Sequence, residues 1–204
     1  MNTNIHICKE GNLNHQHSPH RQLAATAGFW IGGKIYWVRN RNEKIIPEEG
    51  ISLHIKEVPL HSQIKFFEIY FRNHLQKNQQ VKLVCKHYYP YLAEEHFAFV
   101  SPVEKVLFHM ANQTIYLVNA SFNGKGMQQM TVLPQWYANT GKIWKSLEKG
   151  VLSYQPMAKG MPASIFAIDL DLPAGTMRKA KSWIIKGNNK DELLRLNRIL
   201  LKSK

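Results

Sequence analysis

Five groups able to ligate a transition metal, His6, Cys8, His15, His17 and His20, fall within fifteen residues near the N-terminus. Imidazole and thiolate suit zinc, nickel or copper. Their spacing contains neither Cys-x-x-Cys nor His-Glu-x-x-His, and a closed site needs ligands held in fixed positions by a folded frame. The surrounding segment is rich in Asn, His and Gln, carries Pro19 and shows no periodicity. The expectation is a solvated lead-in, with no metal and no cofactor. Asp169 and Asp171 are the next pair. Two apart on a strand, they share one face about 7 Å from each other, a separation at which one carboxyl can serve as acid and the other as base. The same alternation buries Phe166, Ile168 and Leu170 and turns Ala167 and both Asp outward, so no catalytic residue is assigned there. Glu48-Glu49 and Glu94-Glu95 are adjacent pairs, which diverge on a strand and are solvated in a loop. Asn123-Gly124-Lys125-Gly126 lacks the Walker spacing and reads as a turn, and no Gly-x-Ser-x-Gly elbow occurs. Only 14 of the 204 residues are acidic, three of them Asp, which leaves acid–base hydrolysis few carboxylates to draw on.

Basic residues point elsewhere. Lys plus Arg number 27, for a net charge of +13, and Arg178, Lys179, Lys181 and Lys186 crowd one segment beside Trp183, a mixture able to neutralise phosphates and stack on bases. No zinc finger, RNP-type strand or Gly-x-x-Gly clamp accompanies it, so nucleic-acid or polyanion binding stands as the alternative function. Trp136, Tyr137, Trp144 and Tyr154 fall in a stretch with Gly141, Gly150 and Pro156, where strand signals weaken. Aromatic rings on loops fit the C–H face of a sugar and leave its hydroxyls to neighbouring amides. These four are the candidate carbohydrate contacts.

The elements that position such residues are strands. With 44% hydrophobic and 20% charged residues the chain has a core to bury. Residues 1–27 read as an irregular lead-in and 28–204 as a single domain. Phe29 to Val38 is aromatic and β-branched; Ile51, Leu53 and Ile55 alternate with Ser52, His54 and Lys56. Ile64 to Phe71 and Val81 to Tyr89 are apolar on both faces, which places them mid-sheet in a sandwich, and they read as a central hairpin with a long loop. Lys105–Met110 and Thr114–Val118 flank the turn Ala111-Asn112-Gln113. Phe166 to Leu172 and Met177 to Lys186, joined by Pro173-Ala174-Gly175, read as a third hairpin. The C-terminus is helical: Asn188 or Asn189 caps it, Asp191 and Glu192 occupy the first turn, and Leu193, Leu196 and Leu200 form a stripe. Leu194, Ile199 and Leu201 widen that stripe beyond what one sheet face covers, which marks them as an interface for a homodimer or another partner. No apolar run is long enough for a membrane span and no secretory layout opens the chain, so the expected location is cytoplasmic, with Cys8 and Cys85 reduced.

The segments FFEIYFRNHLQKNQQVKLVCKHYY, FAFVSPVEKVLFHMANQTIYLVNASF and LEKGVLSYQPMAKGMPASIFAIDLDLPAGTMRKAKSWIIKGNNKDELLRLNRIL, in that order, resemble the N-terminal β-sandwich domain of prokaryotic glucoamylase-like and glucodextranase-like glycoside hydrolases. The likeness runs from about Gly28 to the end and rests on the aromatic strand ending in Arg72-Asn73, the hairpin about Asn112, Gly150 to Ser153, and the Leu-Pro-Ala-Gly turn before Trp183 and the final helix. It implies an all-β, antiparallel supersandwich of the galactose-mutarotase-like kind with a C-terminal helix. In that family an (α/α) barrel carrying two catalytic glutamates follows the sandwich. With the chain ending at Lys204, the resemblance implies a stand-alone, non-catalytic relative that binds carbohydrate or docks on a partner, such as a separately encoded catalytic chain.

Overall fold

Period-two patterning interrupted by Gly, Asn and Pro turns produces antiparallel strands, and a two-faced sheet must cover its apolar side. The computed structural model of the protein describes residues 22–39, 42–90 and 96–202. In chain order the first eight strands are β1 (Ala24–Ile31), β2 (Lys34–Trp37), β3 (Glu43–Ile46), β4 (Ile51–His61), β5 (Ile64–Asn73), β6 (Gln79–Tyr88), β7 (His96–Ser101) and β8 (Val106–Ala111). They are followed by β9 (Thr114–Ser121), β10 (Gln129–Pro134), β11 (Trp144–Ser146), β12 (Val151–Leu152), β13 (Met157–Lys159), β14 (Pro162–Leu172), β15 (Met177–Gly187) and the helix α1 (Lys190–Lys202). One sheet has the order β10-β14-β6-β1-β2, a second the order β13-β7-β8-β9-β15-β5-β4-β3, and β11 and β12 pair on their own. The fold is an all-β antiparallel sandwich with one C-terminal helix.

Three apolar layers hold it. Leu83, Phe166, Ile168 and Leu170 of the five-stranded sheet meet Leu53, Ile69, Phe71 and Val118 of the eight-stranded sheet in the central core. On the outer side of the five-stranded sheet Val84, Ala163, Ile165 and Ala167 lie under Ile143, Trp144 and Leu152. On the outer side of the eight-stranded sheet Phe66, Phe108, Leu117 and Trp183 lie under Leu193 and Leu200 of α1. Both sheets are therefore apolar on both faces over much of their area, which is why β5 and β6 bury apolar side chains on each face.

Several expectations are corrected here. The run from Phe29 to Val38 is two strands, because Gly32 and Gly33 take φ of 53° and 82° and fold the chain into a hairpin. Ala24 to Ala27, assigned to the lead-in, are strand, paired with β6 from Ala24 opposite Tyr88 onward. The two segments read as a central hairpin, β5 and β6, belong to different sheets, and so do β14 and β15. Each connection is an arch across the sandwich: β14 pairs with β6 and β10, β15 with β5 and β9. Ala167 is buried, since the segment around Trp144 covers that half of β14. The hairpin about Asn112 and Gln113 is as read, with β8 and β9 paired and φ of 48° and 64° at the turn.

Helix α1 is capped by Asn189, whose Oδ1 accepts from the amides of Asp191 at 2.8 Å and Glu192 at 3.2 Å. Its buried stripe includes a polar member, Asn197. Ile199 and Leu201 are exposed and Leu194 is half-buried against the outer cluster. At 100° per residue, Ile199 and Leu201 lie about 160° apart, on opposite flanks of the helix. They flank the stripe of Leu193, Leu196 and Leu200 on its two sides. No helix of the described residues is long and apolar enough to cross a membrane. The His6 to His20 cluster, Cys8, and Glu94-Glu95 lie outside the described residues.

Candidate functional site

Residues 150 to 159 form a strap between the two sheets. Gly150 starts it with φ of 60°, and a Cβ there would stand 2.7 Å from Lys82 Cε and 2.8 Å from the Trp30 ring, so only glycine fits. Gln129 buttresses the next residues: its Nε2 donates to Gly150 O at 3.1 Å and its Oε1 accepts from Leu152 N at 2.7 Å. Gln155 N then donates to Thr131 Oγ1 at 3.1 Å, and Gln155 O accepts from Val132 N at 2.9 Å. One residue later Pro156 O accepts from Val100 N at 2.8 Å, and β13 joins β7 of the other sheet. Tyr154 is thus held from both sides by its neighbours' backbone bonds while its own side remains 68% exposed.

The ring borders an open groove of about 600 Å³, whose walls include Pro102, Lys105, Gln128 and Met130. Gln128 accepts from Asp169 N at 3.1 Å through Oε1, which leaves its amide N–H groups as donors. A flat ring, an amide and an ammonium beside an apolar floor are the groups that orient a pyranose or a similarly amphipathic ligand. None of the described residues that line the groove is acidic.

The four aromatic candidates are not brought together. Trp136 and Tyr137 share a single 3-10 turn after β10, their rings edge to face at 6.0 Å and 63°, and Trp136 is 62% exposed. Lys142 Nζ stands 4.1 Å over the Tyr137 ring. Trp144 is only 9% exposed and packs in the outer layer of the five-stranded sheet, where Tyr137 also leans. Open rings are therefore offered by Trp136 and Tyr154, and Tyr154 alone of the four lines the groove.

The other constellations are dispersed. Asp169 and Asp171 are exposed on one face, and Asp169 pairs with Lys82. Trp183 is fully buried beneath α1, so it cannot stack on a base, and Lys179 of the same strand pairs with Glu68 at 2.8 Å. Glu49 accepts from Tyr36 OH at 2.9 Å and from Lys34 at 3.3 Å, joining the 3-10 turn at residues 47–49 to β2. Phe122 and Lys125 bridge across the Asn123-Gly124 turn. Among the described residues no group of three or more His, Cys, Asp or Glu is placed to hold a metal.

A polar cluster inside the sandwich was missed. His109 stands between His96, at 3.1 Å, and Ser164, at 2.7 Å, and His87 stacks on Phe166 at 5.6 Å. All four polar residues are buried. Burial pushes His87 down to about 3 and His96 to about 4, and holds His109 well below the usual imidazole range, so all three are neutral. The cluster is closed off from solvent. Its signal in the sequence was the inward parity of His87 with Leu83 and Cys85, and of His109 with Leu107.

No protein-family model and no curated protein matches the chain. Among solved structures it is similar to a bacterial glucoamylase complexed with acarbose, at 7% identity and a TM-score of 0.61, covering 88% of this chain and 29% of that one. A polysaccharide lyase aligns at 12% identity and a TM-score of 0.45, over 89% of this chain and 28% of the lyase. An inverting mannosidase of family 92 from Bacteroides thetaiotaomicron aligns at 8% and 0.39, over 76% and 24%. The glucoamylase likeness establishes a shared fold. The chain spans under a third of that enzyme's length.

Proposed function

We propose that the chain is a non-catalytic β-sandwich, akin to the accessory domain of glucoamylase-like hydrolases, that binds neutral carbohydrate at the Tyr154 groove. The observation that carries this reading is the presentation of Tyr154: an open ring on a strap fixed to both sheets, so that stacking a sugar costs little ordering of the protein. The non-catalytic part is supported by the state of the carboxylates. Four of the described carboxylates, Glu49, Glu68, Glu104 and Asp169, are each paired with a lysine, and none of the described carboxylates lines the groove.

Calorimetric titration with malto-oligosaccharides and acarbose tests it. Binding is expected in the wild type and weakened about tenfold or more, about 1.4 kcal/mol, in Tyr154→Ala. The affinity should hold between about 50 mM and about 500 mM salt, whereas a polyanion site loses affinity steeply over that range. Failure of a panel of neutral glycans to bind, or equal affinity of Tyr154→Ala, overturns the proposal, and release of reducing ends overturns its non-catalytic part.

A further inference from the structure

Lys86 projects from the middle of β6 onto the outer face of the five-stranded sheet and is only 9% exposed, the one buried lysine among the described residues. Its Nζ lies 5.3 Å from the centroid of Trp37 and 5.7 Å from that of Tyr88. Trp37 reaches it across β1 because the intervening position is Gly28, where a Cβ would come within 2.9 Å of the indole. One oxygen completes the surroundings: Asn139 Oδ1 accepts from Nζ at 2.5 Å.

An ammonium carries three donors, and aromatic faces satisfy charge without accepting a directed bond. A buried charge is ordinarily paired with its opposite. Lys82, four residues away on the same face, follows that rule through Asp169. Among the described residues no carboxylate comes within ion-pair distance of Lys86. The charge near it is another cation: burial, and then the Arg39 guanidinium, hold the Lys86 ammonium below its ordinary proton affinity. Arg39 is exposed and, among the described residues, likewise has no carboxylate within ion-pair distance; with Trp37, Glu43 and Lys44 it lines an open cavity of about 640 Å³ beyond β2. Asn139, having given its oxygen to Lys86, keeps its N–H donors for a third party.

We propose that Lys86, Arg39 and Asn139, walled by Trp37 and Tyr88, bind the oxyanion group, carboxylate or phosphate, of a small ligand. The anion supplies the missing countercharge and the two rings cover the body that carries it. This site is separate from the Tyr154 groove and stands or falls independently of it.

Thermal unfolding in sodium phosphate and in sodium glucuronate, each against sodium chloride at equal ionic strength, reads the effect, with tryptophan fluorescence reporting on Trp37. A rise in melting temperature with one or both oxyanions beyond the chloride control is expected, and which of the two acts separates phosphate from carboxylate recognition. Lys86→Met removes the buried charge while keeping the stem, so it should fold and lose the response. Arg39→Gln, at an exposed position, should fold like the wild type and weaken the response about tenfold. Tyr154→Ala should retain it. No oxyanion-specific shift in the wild type, or an undiminished shift in Arg39→Gln or Lys86→Met, overturns the proposal.

Discussion

The side-chain amide of Asn73, at the end of β5, donates to the main-chain carbonyl of Leu172, at the end of β14, at 3.0 Å. The same nitrogen faces Pro173 O at 3.2 Å and Lys77 O at 2.8 Å, while its Oδ1 accepts from Leu75 N at 3.0 Å. One fully buried side chain thus fastens two of the connections between the sheets, the arch from β5 to β6 and the arch from β14 to β15. Replacing it by Ala strands several buried polar groups, and Asn73→Ala is expected to lose about 3 kcal/mol in urea unfolding. A loss below about 1 kcal/mol would show that the arches stand without it.

Helix α1 meets the sheet through a mixed seam in which Asn197 Oδ1 accepts from Trp183 Nε1 at 2.9 Å and from Asn119 Nδ2 at 3.0 Å. Asn197→Leu leaves two buried donors without an acceptor and should cost about 2 kcal/mol, even though it raises the apolar content of the stripe. Leu193→Ala should cost about 2 to 4 kcal/mol. Ile199→Glu should stay within about 0.5 kcal/mol of the wild type. If Ile199→Glu unfolds the protein as much as Leu193→Ala does, the orientation of the helix described above is wrong.

Acid sensitivity follows from the sealed histidines. His87, His96 and His109 have folded-state values depressed by burial, so the unfolded chain binds more protons than the folded one below about pH 6.5. Their stabilising contribution is complete above that pH and is lost as the pH falls toward the folded-state values of about 4 and about 3. Each contributes a slope approaching 1.4 kcal/mol per pH unit inside the window. Urea denaturation at a series of pH values from about 7.5 to about 4 should show this fall. A flat profile between pH 6 and pH 5 would contradict neutral burial of all three.

Cys85 is buried in the core, and desolvation pushes its thiol far above the usual range. The thiolate is the reacting species. In a Cys8→Ser background, a thiol reagent at pH 8 should label nothing in the native protein and one group in denaturant. Rapid native labelling would place Cys85 nearer the surface than the packing allows.

Faces were readable wherever one residue decided its own environment. Ile51 and Leu53 are inward, Phe67, Ile69 and Phe71 oppose Phe66 across β5, and Asn189 caps the helix, as their types dictate. Sheet partners were not readable at the two arches. The turn Pro173-Ala174-Gly175, with Gly175 at φ of 63°, is compatible locally with a hairpin or an arch. The arch depends on distant strands, β6 and β5, and on contacts such as that of Asn73, a hundred residues earlier, with Pro173 O. The site suffered the same limit. Tyr154 was legible as an aromatic in a loop, but its groove is walled by residues 100–105 and 127–130, and the burial of Trp144 depends on Ala163 and Ile165, which only the folded chain brings near. Lys86 reads in sequence as one more member of a basic surplus; its isolation from carboxylates is a property of the sheet.

The strap from Gly150 to Lys159 also decides how these molecules treat one another. A sandwich with outer strands β10 and β7 on one side would present two rows of unspent amides and carbonyls to any passing copy. Gln155 takes up the Val132 amide, Pro156 takes the Val100 amide, and β13 adds a three-residue margin ending in Lys159 and Gly160. Cutting the strap at Met157 with a protease, or shortening it, would uncover both rows at once. The damage would then appear as concentration-dependent cross-strand assembly, well before the sandwich itself came apart.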